Sequence, residues 1–274
     1  MARIARLFSS LMIGAACVLL PAVPGSAADC QRDSFDSWLE GFKQDASAQG
    51  LSQGTIASAL NGVAYNPAII ARDHSQRVFQ QNFEQFSGRM VSADRLQKGG
   101  NMLKRYGSIL ARIEDRYGVP GPVLVAIWGL ESDYGVNQGK YPAIRSLATL
   151  AYDCRRSEKF RAELVDALRI IERGDLSSSE MIGAWAGELG QTQLMPSSYL
   201  KFAIDFDGSG RRDLIHSPLN ALASTANYLK DHGWKSSVPW TEGSANFGVL
   251  QKWNESEIYA KTVAYFAIRL DKEP

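Results

Sequence analysis

A chain of 274 residues, 45% of them hydrophobic and 22% charged, carries enough apolar material for a packed core. A formal net charge of +1 gives no electrostatic footprint for nucleic acid or an anionic membrane, and the composition is not that of a disordered chain. Three cysteines exclude a disulfide-dense scaffold and a four-cysteine zinc site.

Residues 1–28 open with Arg3 and Arg6, continue through the apolar stretch Leu7 to Leu20, and end in a proline and small-residue run. This layout predicts a removed secretory signal peptide, cleaved after Ala27 or Ala28, because the apolar stretch is too short to span a bilayer. Cys17 follows Gly14-Ala15-Ala16, a poor lipoprotein signal, so no membrane anchor is expected. Removal would turn the net charge to −1 and leave Cys30 and Cys154. Two cysteines in an oxidising compartment predict a disulfide.

Helical periodicity dominates the rest of the chain. Phe35, Trp38, Leu39, Phe42 and Ala46 form one stripe of a helix. Phe160, Leu164, Leu168 and Ile171 form another, with Gly174 placed to end it. Ser217-Pro218 supplies a cap and a first-turn proline to a helix through Leu219, Leu222, Ala226 and Leu229, which Gly233 closes. Tyr259, Val263, Phe266 and Leu270 mark a last helix. Short strands are expected only near 234–250. The predicted fold class is mainly α.

The three histidines make no close ligand pair, and no phosphate-binding glycine loop or G-x-S-x-G elbow is present. Carboxylate chemistry remains. Pro120 or Pro122 opens a helix whose residues Val123 to Leu130 are apolar almost all round, with Glu131 at its end. Burial beside Trp128 or Tyr134 would raise the carboxyl pKa, as a general acid at neutral pH requires. A solvated or capping Glu131 is the plain alternative.

The runs Ala126-Ile-Trp-Gly-Leu-Glu131, Ser146-Leu-Ala-Thr-Leu-Ala-Tyr152, Gln193-Leu-Met-Pro-Ser-Ser-Tyr199 and Ala223-Ser-Thr-Ala-Asn-Tyr-Leu229 occur in an order that resembles the B-type lytic murein transglycosylases. Weaker similarity reaches back to about Asp29 and forward to Tyr259. The resemblance implies a lysozyme-like catalytic core with additional packed helices. It places a helical part at 29–115, the core at 116–240 and a segment packing back at 241–274, all within one catalytic domain at 29–274.

It also implies a reaction: cleavage of the β-1,4 bond between N-acetylmuramic acid and N-acetylglucosamine in peptidoglycan, leaving 1,6-anhydro ends. Because the muramic 6-hydroxyl is the nucleophile, one carboxyl can serve where hydrolases need two. Glu131 matches the catalytic position. Gln193 matches a cleft glutamine, Tyr259 a tyrosine of the cleft floor and Asn254 an asparagine, while Trp253 stands where a tyrosine is common. Tyr134 is a candidate to stack on sugar, as are Trp128 and Tyr152, each with core packing as the alternative.

Two departures bear on the chemistry. Ala184 replaces a common serine near the acid. Glu188 lies between glycines where relatives often carry Ala-Met, and is either a second carboxylate near the cleft or a harmless exchange. Asp133, two residues past Glu131, should point elsewhere on a continuing helix. A glycan-binding protein without strong catalysis, and a hydrolase using water positioned by Glu188 or Asp133, are the alternatives. Asp205, Asp207, Ser209 and Asp213 occupy positions one, three, five and nine of an EF-hand-like calcium loop, but His216 fills the twelfth, where a bidentate carboxylate belongs. No cofactor is expected to be required. The expected partner is peptidoglycan glycan strands, in the periplasm, with no nucleic acid.

Overall fold

The computed structural model describes residues 34–75 and 81–272. The expected signal peptide lies outside the described residues, as does Cys30 and with it the expected bridge to Cys154. Cys154 itself is at the surface, between two helices. Among the described residues, no helix is long and apolar enough to cross a membrane.

Thirteen helices and one two-stranded ribbon make up the described chain, so the mainly α expectation holds. The first six helices are α1 (Phe35–Ala48), α2 (Gln53–Leu60), α3 (Pro67–His74), α4 (Phe83–Met90), α5 (Ala93–Arg105) and α6 (Gly107–Tyr117). Then come α7 (Gly121–Ser132), α8 (Ala143–Tyr152), α9 (Ser157–Glu172) and α10 (Pro196–Phe202). The last three are α11 (Pro218–Asp231), α12 (Ala245–Trp253) and α13 (Glu257–Lys272). Strands β1 (Tyr141–Pro142) and β2 (Ile182–Gly183) pair antiparallel, Tyr141 opposite Gly183.

Local rules account for the boundaries. Ser34 caps α1 by accepting from Ser37 N–H, and the stripe's Phe35, Leu39, Phe42 and Ala46 are buried. Ser217 accepts from Asn220 N–H to start α11, with Pro218 in the first turn, and Gly233 adopts a φ of 101° just beyond it. The expectation of strands near 234–250 is overturned. Ser244 accepts from Phe247 N–H and starts α12, while the Asn246 side chain bonds the backbone of Lys235 and Val238. Those side-chain bonds satisfy backbone groups of Lys235 and Val238 that would otherwise need other partners.

Burial divides into two apolar clusters. One joins α1, α2, α8 and α9 with the 176–215 region. The other joins α5, α6, α7, α11, α12 and α13. Both draw on the stretch 29–115, so the cores interleave along the chain. Helix α7 is the axis of the second cluster, buried from Val123 to Leu130. Each large apolar side chain so placed contributes roughly 1.5–3 kcal/mol. Trp253 packs against both clusters and marks the seam between them.

Candidate active site

At that seam lies a cavity of about 310 Å³. Glu131, from the last turn of α7, forms part of its wall, with Glu188 and Gln193 from the loop after β2. Ser198 of α10, Tyr228 of α11, and Trp253 and Asn254 at the end of α12 complete the polar lining.

The apolar body of α7 explains why a carboxyl is held there. The helix stops after Ser132 because Asp133 and Tyr134 both turn to positive φ, 50° and 63°, a conformation that side-chain-bearing residues rarely adopt. Ser132 fixes that turn by donating to Gln191 O at 2.5 Å and accepting from Gly135 N–H at 2.8 Å. Glu131 is thereby left at the cavity while its successors turn away.

Tyr259 Oη donates to Glu131 Oε1 at 2.5 Å, and Trp253 Nε1 donates to the same oxygen at 3.0 Å. With Oε1 occupied twice, Oε2 is the oxygen suited to carry a transferable proton. Burial pushes the Glu131 pKa from an ordinary 4.5 to about 7; the two hydrogen bonds oppose that rise, and the Glu188 charge adds to it. The Tyr259 hydroxyl, raised well above its usual range chiefly by burial, stays protonated and remains a donor.

Glu188 is set by a tight loop. Ala184 N–H donates to Glu188 O at 3.0 Å and Gly187 N–H to Ala184 O at 3.2 Å. Leu189 and Leu194 then exchange a pair of backbone bonds. The Glu188 carboxylate accepts the Ala186 N–H on Oε2 at 3.2 Å, and burial raises its pKa. Gln193, at a φ of 54°, donates through Nε2 to Gln138 O at 3.1 Å and Gly190 O at 2.7 Å. Those bonds hold the amide at the wall.

The structure thus brings together Glu131, Gln193, Asn254 and Tyr259, with Glu188 beside them. Ala184 also lines the cavity, where a methyl stands in place of a hydroxyl. Tyr134 does not join them. Its turn folds the ring edge-on against Trp128, and its hydroxyl donates to Arg95 O at 2.6 Å, so its polar end is committed within the second core. Trp128 is fully buried, and Tyr152 packs among Phe35, Trp38 and Tyr65. Asp133 is paired with Arg95 and Lys98 of α5, each at 3.3 Å, and is absent from the cavity wall. Sequence reasoning did not single out Ser198 or Tyr228. Both sit within quoted motif runs, Ser198 in Gln193 to Tyr199 and Tyr228 in Ala223 to Leu229, but only the packing of α10 and α11 turns them to the cavity.

The loop from Asp205 to His216 spends its carboxylates on its own chain. Asp205 accepts from the Ser209 and Gly210 N–H groups, and Asp207 from Ser209 N–H and Ser217 Oγ, which holds Asp207 down to about 2 despite its partial burial. Asp213 accepts from the N–H groups of Ile215 and His216 and pairs with the His216 ring at 2.8 Å. An imidazole so engaged does not supply the bidentate carboxylate that a calcium loop closes on, so these residues do not fit the ion well. A second group of metal-type ligands, Asp73, His74 and Asp153, includes a carboxylate already bonded by Arg155 and Arg156.

A family model described as the transglycosylase SLT domain matches residues 34–244. The membrane-bound lytic murein transglycosylase B of Escherichia coli K12 is 37% identical over 147 residues, covering 53% of this chain and 40% of that protein. This chain therefore spans less than half of that relative. Among solved structures, SltB3 from Pseudomonas aeruginosa in complex with NAG-NAM-pentapeptide is similar, at a TM-score of 0.84 and 34% identity. That likeness covers 88% of this chain and 80% of the other. SltB1 from the same organism, at 24% identity and a TM-score of 0.80, shares the fold.

Proposed function

Because the chain belongs to the transglycosylase SLT domain family, we propose that it is a lytic transglycosylase that cleaves the glycan of peptidoglycan at the bond between N-acetylmuramic acid and N-acetylglucosamine. The observation that carries this reading is Glu131 itself: a carboxyl with a pKa raised to about 7, one oxygen tied to Tyr259 and Trp253, at the wall of a polar cavity. SltB3, a relative of this chain, has been seen with both NAG-NAM-pentapeptide and NAG-anhNAM-pentapeptide.

In this mechanism the protonated Glu131 Oε2 gives its proton to the leaving glycosidic oxygen as the bond to the anomeric carbon breaks. The resulting carboxylate then takes the proton of the muramic 6-hydroxyl as that oxygen attacks the anomeric carbon. The acid is regenerated and a 1,6-anhydro end is left. Tyr259 and Trp253 stabilise the transient carboxylate, and Gln193, Ser198 and Asn254 supply hydrogen bonds to the sugars. No cofactor enters any step, and the loop at 205–216 serves as a hydrogen-bonded brace. The leader-like composition of residues 1–28 and a wall substrate support a site of action outside the cytoplasmic membrane.

Substitution Glu131→Gln keeps the size of the side chain and removes the proton. It is expected to lower the release of soluble fragments from purified peptidoglycan at least about 100-fold, the scale of a lost general acid. Residual activity within a few-fold of the parent would contradict the assignment.

A further inference from the structure

We propose that Glu188 is a specificity residue that selects glycan substrates presenting a primary ammonium group in the cleft, an inference that rests on the transglycosylase reading. The charged side chains lining the cavity are Glu131 and Glu188, and no lysine or arginine shares that lining. Glu131 does its work as a neutral acid, with Oε1 filled by Tyr259 and Trp253. Glu188, whose charge acts on Glu131, is therefore the second carboxyl that faces the substrate.

Its carboxylate is met by backbone N–H groups and by no charged partner. Oε2 takes the Ala186 N–H, the residue's own backbone N–H also bonds the carboxylate, and among the described residues no side-chain cation pairs with it. Lys159 and Arg156 act on it through the field without sitting in the cavity wall. A confined carboxylate bonded only by backbone N–H groups, with no cation paired to it, favours a charged donor over a neutral one. A charge-assisted hydrogen bond is roughly twice as strong as a neutral pair, and it also relieves the cost of the uncompensated anion. Hydroxyl and acetamido groups, the ordinary donors of the glycan, offer only the weaker bond. The wall polymer can supply the ammonium in two ways: from a sugar that has lost its N-acetyl group, or from the side-chain amine of a diamino acid in the peptide stem. Both present the same chemistry to Glu188.

The test is binding in the Glu131→Gln background, where turnover is suppressed, at about pH 6, below the range in which primary amines lose their proton. One pair of probes is stem-free glycan strands, fully N-acetylated or partly de-N-acetylated. The other is stem-bearing strands with the diamino acid amine free or acetylated. The free-amine member of one pair is expected to bind about tenfold more tightly than its blocked counterpart, and which pair responds identifies the source. Adding Glu188→Gln should bring that ratio close to one, whereas Glu188→Asp, which keeps the charge, should retain part of it. Equal affinities within both pairs, or a ratio that survives Glu188→Gln, would overturn the proposal. If the parent enzyme cleaves peptidoglycan but shows no amine preference, only this inference falls. If it cleaves none, the transglycosylase reading falls first.

Discussion

At the scale of single residues, the chemistry turns on how one carboxyl is kept protonated near neutrality and still able to ionise. Burial supplies the rise to about 7, and the hydrogen bonds from Tyr259 and Trp253 hold it from rising further. A general acid must carry its proton, so kcat/KM should fall as pH rises through about 7. Tyr259→Phe removes a donor that favours the ionised form. The Glu131 pKa should then rise, and the falling limb of the pH profile should move to higher pH, with a lower kcat because the transient carboxylate loses a partner. A limb that stays in place or moves to lower pH would show that the hydroxyl does not bond the working carboxyl.

The residues legible beforehand were those embedded in a motif: Glu131 after an apolar helix, Gln193 before Met-Pro-Ser-Ser, and Asn254 following Trp253. Tyr134 was misplaced because its direction depends on two successive positive φ values, which no periodicity signals. The pairing of Asp133 with Arg95 and Lys98 links positions 38 and 35 residues apart, and nothing local to Asp133 announces it.

At the scale of elements, α7 is the part on which the site depends, and its close packing sets a sharp limit on substitution. Gly129 faces the Tyr134 ring so closely that an added Cβ would lie 2.8 Å from both Cζ and the hydroxyl oxygen. The ring cannot easily yield, since the hydroxyl is bonded to Arg95 O and the ring packs perpendicular to Trp128. Gly129→Ala should therefore destabilise the protein by about 1–3 kcal/mol despite alanine's better helix propensity, and Tm should fall by several degrees. An unchanged or raised Tm would mean that the turn after Glu131 is softer than its hydrogen bonds imply. The helices with clear stripes, α1, α9, α11 and α13, were readable because a one-sided core imposes a 3.6-residue period. Helix α12 was not. It is short, its start depends on the Ser244 cap, and its Asn246 is spent on tying down Lys235 and Val238.

At the scale of the whole molecule, the two apolar clusters meet where the cavity forms. The helix carrying Glu131 comes from one, the Gln193 loop from the other, and Trp253 packs against both. The mainly α class and the lysozyme-like family were readable from motif order. The interleaving of the cores was not, because it arises from long-range packing of helices that look alike in sequence. The carboxylates of the 205–216 loop are held by hydrogen bonds of their own segment, so millimolar calcium added to chelator-treated protein should leave Tm unchanged. A saturable rise with calcium would show linked binding and contradict a loop that is closed without the ion.

In the proposed mechanism Glu131 works with the substrate's own hydroxyl rather than with water, although Glu188 stands close enough to act on its charge. Mass spectrometry of glycan ends released from purified peptidoglycan in heavy-oxygen water tests it most directly. An internal nucleophile should leave 1,6-anhydro ends that carry no heavy oxygen; reducing ends bearing it would make the protein a hydrolase and rule that nucleophile out.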